Sequence, residues 1–284
     1  MNKAIQSREL AITLAPLTVN IGAEVHGIDL SKPLTNEQFE AIRQAMIDWK
    51  VIFFRDQDIT TEQHLAFARR FGELEVHPFA YDKEGYPEVM ALTHNRENRA
   101  RENLWHSDVT WRAEPSLGSV LRGVEMPPVG GDTLFSDMYA AYDGLTDEIK
   151  EKLDGKFAMH DASNFIQMMR EHGAPEEKIA ELERRFPPQE HPVFRTHPET
   201  GRKTIYVNVA FTRHIVGMDR DESDAMLKHL FAQAAIPEYQ CRFRWRNNSI
   251  AFWDNRACQH YAVADYWPAT RRVERVTIIG DRPY

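Results

Sequence analysis

Residues 103–111 read NLWHSDVTW and place His106 two positions before Asp108, between two tryptophans. Side chains alternate along an extended backbone with a period of two, so an extended segment directs both side chains to the same face. An imidazole and a carboxylate that converge from one element can ligate a metal ion. The stretch predicts two of the ligands of a metal site. If no third ligand joins them, it is only the polar end of a strand.

A His-x-Asp/Glu pair alone is weak evidence for a metal site. The 12 histidines and 43 acidic residues in 284 positions predict about two such pairs by chance, and the chain contains two. The second pair is His197 and Glu199 in RTHPETGRKT, where proline and glycine favour a hairpin loop between two strand-like runs. We expect the side chains of this second pair to point into water.

The segment WDNRACQHYAVADY (253–266) offers a third ligand for the first pair. His260 follows a strand-like run and a tight Asp-Asn turn there. Two histidines and one carboxylate are the ligand set that suits non-haem Fe(II), and they leave three coordination positions open. The alternative is that His260 is a hydrogen-bonded core histidine and that His106 lies at the surface.

The composition is that of a globular protein with a hydrophobic core. The chain has 284 residues, of which 42% are hydrophobic, and a formal net charge of −8. Lysines and arginines do not cluster, and no apolar stretch approaches the roughly 18 to 20 residues of a membrane span, so we expect neither a nucleic-acid nor a membrane partner. Two cysteines and the lack of a secretory signal pattern predict a cytoplasmic location, where ferrous iron is available.

The N-terminal segment, about residues 1–75, has a β-α-β-α pattern. In LTNEQFEAIRQAMIDW, Thr35 and Gln38 form a capping box ahead of apolar residues at helical spacing. KVIFFRDQ predicts a strand, and TTEQHLAFARRFGEL predicts a second capped helix. We expect this segment to pack on the rest of a single domain that covers 1–284.

The remainder of the chain predicts a mostly β protein with inserted helices (α+β). Residues 76–105 are polar and irregular in pattern, which indicates a substrate-covering loop. From residue 106 onward, short apolar runs bounded by turn residues predict the strands of a β-sandwich or jelly-roll core. Three amphipathic segments predict helices on the outside of the sheets: YAAYDGLTDEIKEKL (139–153), EEKIAELERRF (176–186) and DESDAMLKHLFAQAAI (221–236).

Several motifs along almost the whole chain, taken together, resemble the taurine dioxygenase family of Fe(II)- and 2-oxoglutarate-dependent dioxygenases. They follow the family order at near family spacing: WHSDVTW, GGDTLF, THPETGRKTIYVN, FTRHIV, WDNRACQHYAVADY and RRVERVTIIGD. The resemblance implies a double-stranded β-helix, or jelly-roll, with the metal on its inner face. It also implies that His106, Asp108 and His260 are the catalytic facial triad for Fe(II), with 2-oxoglutarate and O2 as cosubstrates.

The resemblance assigns three further residues to 2-oxoglutarate. Arg275, fifteen residues after His260, falls at the arginine that pairs with the distal carboxylate of the cosubstrate. This role is physically reasonable because a buried carboxylate needs a fixed bidentate donor. Thr133 in GGDTLF matches a hydroxyl contact to the cosubstrate, and Arg271 matches a second basic residue near it.

The resemblance also implies a small anionic substrate. His77 in ELEVHPFAY aligns with the family histidine that contacts a sulfonate, and Val109 and Phe211 match residues that line the taurine pocket. The implied reaction converts 2-oxoglutarate to succinate and CO2 while the substrate is hydroxylated. On taurine or a related alkylsulfonate, the hydroxylated product collapses to an aldehyde and sulfite.

The chain departs from the taurine pattern at two positions. Ala80 stands where the family has a tyrosine, and Glu102 stands where it has an asparagine. Either the neighbouring Tyr81 and Asn103 take those roles, or the pocket recognises an alkyl sulfate, an aryloxyalkanoate or another small carboxylate. The alternative outside the enzymes is a noncatalytic jelly-roll protein that binds a metal. The family commonly forms oligomers, so we expect a homodimer or homotetramer.

Overall fold

The computed structural model describes residues 12–78, 82–100 and 103–284. Within these ranges the helices are α1 (Asn36–Trp49), α2 (Thr61–Arg69), α3 (Met138–Asp143), α4 (Asp147–Leu153), α5 (Ser163–Glu171), α6 (Glu176–Arg185) and α7 (Arg220–Gln233). The strands there are β1 (Thr13–Pro16), β2 (Ala23–His26), β3 (Val51–Phe54), β4 (Asp82–Lys83), β5 (Tyr86–His94), β6 (Ser116–Glu125), β7 (Thr133–Asp137), β8 (Phe157–His160), β9 (Gln189–Pro192), β10 (Phe194–Thr196), β11 (Lys203–Ile205), β12 (Thr212–Ile215), β13 (Gln240–Phe243), β14 (Ile250–Asp254), β15 (Cys258–Ala262) and β16 (Arg271–Ile279). None of these helices is both long enough and apolar enough to cross a membrane.

The largest sheet among the described residues has the strand order β1-β2-β3-β14-β6-β16-β5-β4. Neighbouring strands pair antiparallel, except that β2 and β3 are parallel. Smaller sheets have the orders β13-β7-β15, β12-β8-β9 and β10-β11. The prediction of a mixed α+β architecture is therefore confirmed.

Strand β3 shows why the large sheet is covered on both faces. Its sequence VIFF is apolar at every position, and all four side chains are fully buried. Ile52 and Phe54 pack in a core cluster with residues of α1 and α2, whereas Val51 and Phe53 pack in a second cluster with residues of β7, β13 and β15. Because side chains alternate along a strand, a continuous apolar run indicates a layer on each side.

The predicted N-terminal helices and their start signals are confirmed. Thr35 caps α1, because its side-chain oxygen accepts from the backbone N of Gln38. In turn, the side-chain oxygen of Gln38 accepts from the backbone N of Thr35. Thr60 and Gln63 form the same box at the start of α2.

Two expectations about the middle of the chain are wrong. The segment 76–105 is not irregular throughout, because β5 crosses it and pairs with β16 from Arg271↔His94 to Val276↔Val89. The segment 139–153 forms two helices instead of one, since α3 ends at Gly144 and Thr146 caps α4. In both cases tertiary pairing or a cap overrides the pattern read along the chain.

Candidate metal centre and substrate site

The two candidate histidines lie opposite each other on adjacent backbone segments. His260 is in the middle of β15, and His106 forms an isolated antiparallel bridge with it. The backbone N of His106 donates to the carbonyl of His260 at 3.1 Å, and the N of His260 donates back at 2.8 Å. The pairing joins residues 154 positions apart and places the imidazole centroids 4.2 Å from each other.

Asp108 reaches the two histidines through a turn, not through a continued strand. The residue starts a turn in which Val109 has a φ of 49°, so the extended backbone expected across 106–108 ends there. Oδ1 of Asp108 lies 3.8 Å from Nε2 of His106 and 3.8 Å from Nε2 of His260. One ligand atom from each of the three residues lies within 4.8 Å of the others, which fits a single metal ion.

Hydrogen bonds behind the triad fix the orientation of the His106 and Asp108 side chains. His106 Nδ1 donates to the carbonyl of Leu104 at 2.8 Å, which leaves Nε2 as the free acceptor. Ser119 Oγ donates to Oδ2 of Asp108 at 2.8 Å, and Asn255 Nδ2 donates to the same oxygen at 3.3 Å. Asn255 Oδ1 also accepts from the backbone N of Asp108 at 3.0 Å. Oδ2 is thereby held away from the histidines while Oδ1 faces them.

The protonation states suit a metal ligand set. Burial lowers the pKa of His260 to about 3, so this imidazole is neutral at pH 7. Burial opposes ionisation of Asp108, but the Arg275 guanidinium, the two triad histidines and the Ser119 hydrogen bond together outweigh it and hold the pKa of that carboxyl well below its usual range. A neutral imidazole and an ionised carboxylate are the forms that bind a divalent cation.

The two predicted arginines occupy different surroundings on β16. Arg275 Nη1 donates to Oδ1 of Asp108 at 2.7 Å. The guanidinium of Arg271 lies 5.8 Å from the ring centroid of Trp245, whose Nε1 donates to Oγ1 of Thr133 at 2.9 Å. Arg271 and Thr133 therefore share one neighbour, whereas Arg275 bonds directly to the triad.

His77 lies beside the triad in an aromatic enclosure. Its ring centroid is 5.9 Å from that of Phe165 and 6.2 Å from that of Trp111. Phe165 stacks on Phe211 at 5.8 Å, and Phe211 lies 6.2 Å from His106. Burial, followed by the charge of the nearby Arg275, lowers the pKa of His77 to about 3. A neutral imidazole thus has aromatic neighbours as well as a nearby guanidinium.

The other residues predicted to contact substrate lie in different surroundings. Val109 and Phe211 are buried and pack in one cluster with Trp111. Asn103 is exposed. Tyr81 lies outside the described residues. Ser119 and Asn255 are absent from the sequence prediction because an isolated serine or asparagine carries no local signal of what it will contact.

The expectation that the second His-x-Glu pair points into water is wrong for His197, whereas Glu199 lies at the surface with its side chain 25% exposed. The pair does lie between β10 and β11, but His197 is only 1% exposed, and its Nε2 is 3.0 Å from Oδ2 of Asp254. Glu199 forms ion pairs with Arg43 and Arg256. A hairpin loop can carry buried side chains when it folds back on the sheet, which a turn pattern does not reveal.

Known proteins match the chain over nearly its whole length. The model of the taurine catabolism dioxygenase TauD, TfdA family matches residues 13–277. An alkylsulfatase from Acinetobacter baylyi is 34% identical, covering 99% of this chain and 89% of the relative, and an alpha-ketoglutarate-dependent sulfate ester dioxygenase from Pseudomonas putida is 34% identical, covering 96% and 91%. The crystal structure of a taurine dioxygenase from Burkholderia xenovorans has a TM-score of 0.82 and 37% identity, covering 96% of this chain and 92% of that one. The chain belongs to the TauD/TfdA family of dioxygenases.

Proposed function

We propose that the protein is an Fe(II)- and 2-oxoglutarate-dependent dioxygenase that hydroxylates a small anionic substrate. The observation that carries this proposal is the position of Asp108 Oδ1, 3.8 Å from Nε2 of both His106 and His260. Two nitrogens and one oxygen on one side of a metal leave room for a bidentate cosubstrate and O2. When bound, Fe(II) with 2-oxoglutarate and O2 supplies the oxidant for an unactivated C–H bond, and succinate and CO2 are the coproducts.

The sequence assigned both arginines to 2-oxoglutarate, with Arg275 on its distal carboxylate, but their surroundings favour Arg271 for that carboxylate and free Arg275 for another role. Thr133 and Arg271 both contact Trp245, and together they offer a hydroxyl and a buried guanidinium for the distal carboxylate of 2-oxoglutarate. Arg275 bonds to Asp108, and its charge acts on His77. We therefore assign Arg275 and His77 to the anionic group of the substrate.

The first candidate substrate is taurine or a related alkylsulfonate. Hydroxylation of the carbon that carries the sulfonate gives an adduct that releases sulfite and an aldehyde. A neutral His77 and the Arg275 guanidinium supply hydrogen-bond donors for the sulfonate oxygens. The likeness to a taurine dioxygenase structure supports this candidate.

An alkyl sulfate is the second candidate, and the aromatic enclosure favours it. Trp111 and Phe165 contact His77, and Phe211 stacks on Phe165, so the three rings provide apolar surface that suits an anion with a hydrocarbon body. Hydroxylation of the carbon next to the ester oxygen gives an adduct that releases sulfate and an aldehyde. Two relatives that each share 34% identity are an alkylsulfatase and a sulfate ester dioxygenase.

A product assay separates these candidates. The protein is incubated with Fe(II), 2-oxoglutarate and either taurine, a longer alkylsulfonate or an alkyl sulfate, and succinate, sulfite, sulfate and aldehyde are measured. Sulfite with stoichiometric succinate supports the sulfonate reaction, whereas sulfate and aldehyde support the ester reaction. If no 2-oxoglutarate-dependent absorbance appears on anaerobic addition of Fe(II), the dioxygenase proposal fails and the noncatalytic binding protein is favoured.

The proposed function is accompanied by proposals for the core fold, the cellular location and the oligomeric state. The packing of the large sheet against β13-β7-β15 supports a jelly-roll core. Both cysteines are free and buried, which is compatible with the predicted cytoplasmic location. The homodimer or homotetramer remains a prediction, and sedimentation of the purified protein tests it.

A further inference from the structure

We propose that Thr110, His160 and Asn208 form a buried positioning unit that holds the metal ligand Asp108 and the pocket residue Phe211 in a fixed relation. This inference rests on the proposed function, because it assigns Asp108 to the metal and Phe211 to the substrate. None of the three is among the residues placed in contact with metal or substrate above. Each has a side chain that is 0% exposed, so their polar groups must find partners inside the protein.

The turn that follows Asp108 contains a residue in an unfavourable backbone conformation. Val109 has a φ of 49°, in the left-handed region, and its side chain is only 2% exposed. A β-branched residue rarely adopts this region, because its branched side chain clashes with the backbone there. Such a conformation persists only where the surrounding structure enforces it, through the packing of Val109 itself and through contacts of the residues next to it.

Thr110 supplies such contacts. Its Oγ1 accepts from Nδ2 of Asn208 at 3.0 Å and lies 3.0 Å from Nδ1 of His160. The Thr110 hydroxyl retains its own proton, and when that proton is donated to Nδ1 of His160 the imidazole proton lies on Nε2. Thr212 Oγ1 lies 3.3 Å from that Nε2. The hydroxyl of Thr110 is thereby held from two sides.

The same unit holds the segment that carries Phe211. Asn208 Oδ1 accepts from the backbone N of Phe211 at 3.0 Å. The carbonyl of Phe211 accepts from the N of Asp161, the residue after His160, also at 3.0 Å. Asn208 therefore links the turn after Asp108, through its Nδ2, to the pocket wall, through its Oδ1.

Removal of the Thr110 hydroxyl tests the proposal with little change in side-chain shape. We expect Thr110→Val to weaken anaerobic Fe(II) binding by about tenfold, the low end of the effect of an outer-shell contact. Thr110→Ser keeps the hydroxyl and should restore most of the affinity. The matched control is Ser223→Ala, which removes a fully buried hydroxyl that accepts from the N of Ile215, outside the site.

A merely structural role predicts a different result. In that case Thr110→Val and Ser223→Ala would lower the unfolding temperature alike and leave Fe(II) affinity at the wild-type value, which would overturn the proposal. A second variant probes the strained turn: in the Val109→Gly background, where a positive φ carries no penalty, Thr110→Val should cost less Fe(II) affinity than in the wild type.

Fe(II) binding also distinguishes failure of the positioning role from failure of the dioxygenase function. If the wild-type protein does not bind Fe(II), the dioxygenase assignment fails. If it binds Fe(II) and Thr110→Val binds equally well, only the positioning role is lost.

Discussion

Arg275 Nη1 donates to Oδ1 of Asp108 at 2.7 Å, and this is the oxygen that faces Nε2 of both triad histidines. The other carboxylate oxygen, Oδ2, accepts from Ser119. Each oxygen of the carboxylate thus has its own partner, and the charge of Arg275 keeps Asp108 ionised inside the protein. Under the proposed function, this pair would connect metal binding to recognition of the anionic substrate, because one guanidinium would border both.

Replacement of Asp108 by alanine should abolish turnover. The variant lacks the only carboxylate among the three ligands, and two imidazoles alone do not complete the triad. The measurements are succinate formation and the anaerobic absorbance on addition of Fe(II) and 2-oxoglutarate. Asp58→Ala, at a side chain that is 90% exposed, is the control. Activity retained by Asp108→Ala would refute the ligand assignment.

Ser119→Ala should weaken Fe(II) binding by about 10- to 100-fold, as expected for loss of a bond that orients a ligand. The substitution removes the 2.8 Å bond to Oδ2 and leaves the carboxylate free to rotate. Ser116→Ala is the comparison, since Ser116 contacts Asn255 at 3.0 Å but not the carboxylate. Titration of the anaerobic protein with Fe(II) measures both constants. Equal effects at the two serines would contradict a specific role for Ser119.

Arg271 and Arg275 should affect different Michaelis constants. Arg271→Lys loses the guanidinium near Thr133 and should raise KM for 2-oxoglutarate by about 10- to 100-fold, the equivalent of about 1.5–3 kcal/mol for a charge-assisted bond. Arg275→Lys should raise KM for the anionic substrate while KM for 2-oxoglutarate changes less. Steady-state kinetics with each compound varied in turn distinguishes the roles. If Arg275→Lys instead raises KM for 2-oxoglutarate more than KM for the substrate, the assignment expected from the sequence is restored.

Stability should fall as the pH is lowered from 7 to 5. Burial lowers the pKa of both His64 and His191 to about 4 from the ordinary histidine value of 6.5, so the unfolded chain binds more protons between these values. The stabilisation is fully present above pH 6.5 and is lost as the pH falls toward 4, by roughly 2 kcal/mol per histidine at pH 5.

Urea unfolding at several pH values measures this effect. His64→Gln keeps a donor for the carbonyl of Val120 but cannot titrate, so it should make stability less dependent on pH. His172→Gln, at an exposed position, is the matched control. A pH dependence that is the same in His64→Gln and the wild type would contradict the role of His64.

Local sequence determined the features that depend on neighbouring residues. The Thr35–Gln38 box starts α1 because a capping bond spans three positions, and the VIFF run of β3 is buried on both faces because it is apolar throughout. The His106 and Asp108 pair was visible for the same reason. Family resemblance then selected His260 from the other histidines, although spacing alone left the choice open.

Tertiary structure decided what depends on distant pairing. β5 exists because β16 lies beside it, and His197 is buried because Asp254 lies beneath its hairpin. The bonds of Ser119 and Asn255 to Asp108 and the separate surroundings of Arg271 and Arg275 arise only when strands far apart in the chain come together. A single polar side chain does not encode its partner, since the partner is fixed by strand register and by packing across the sheet.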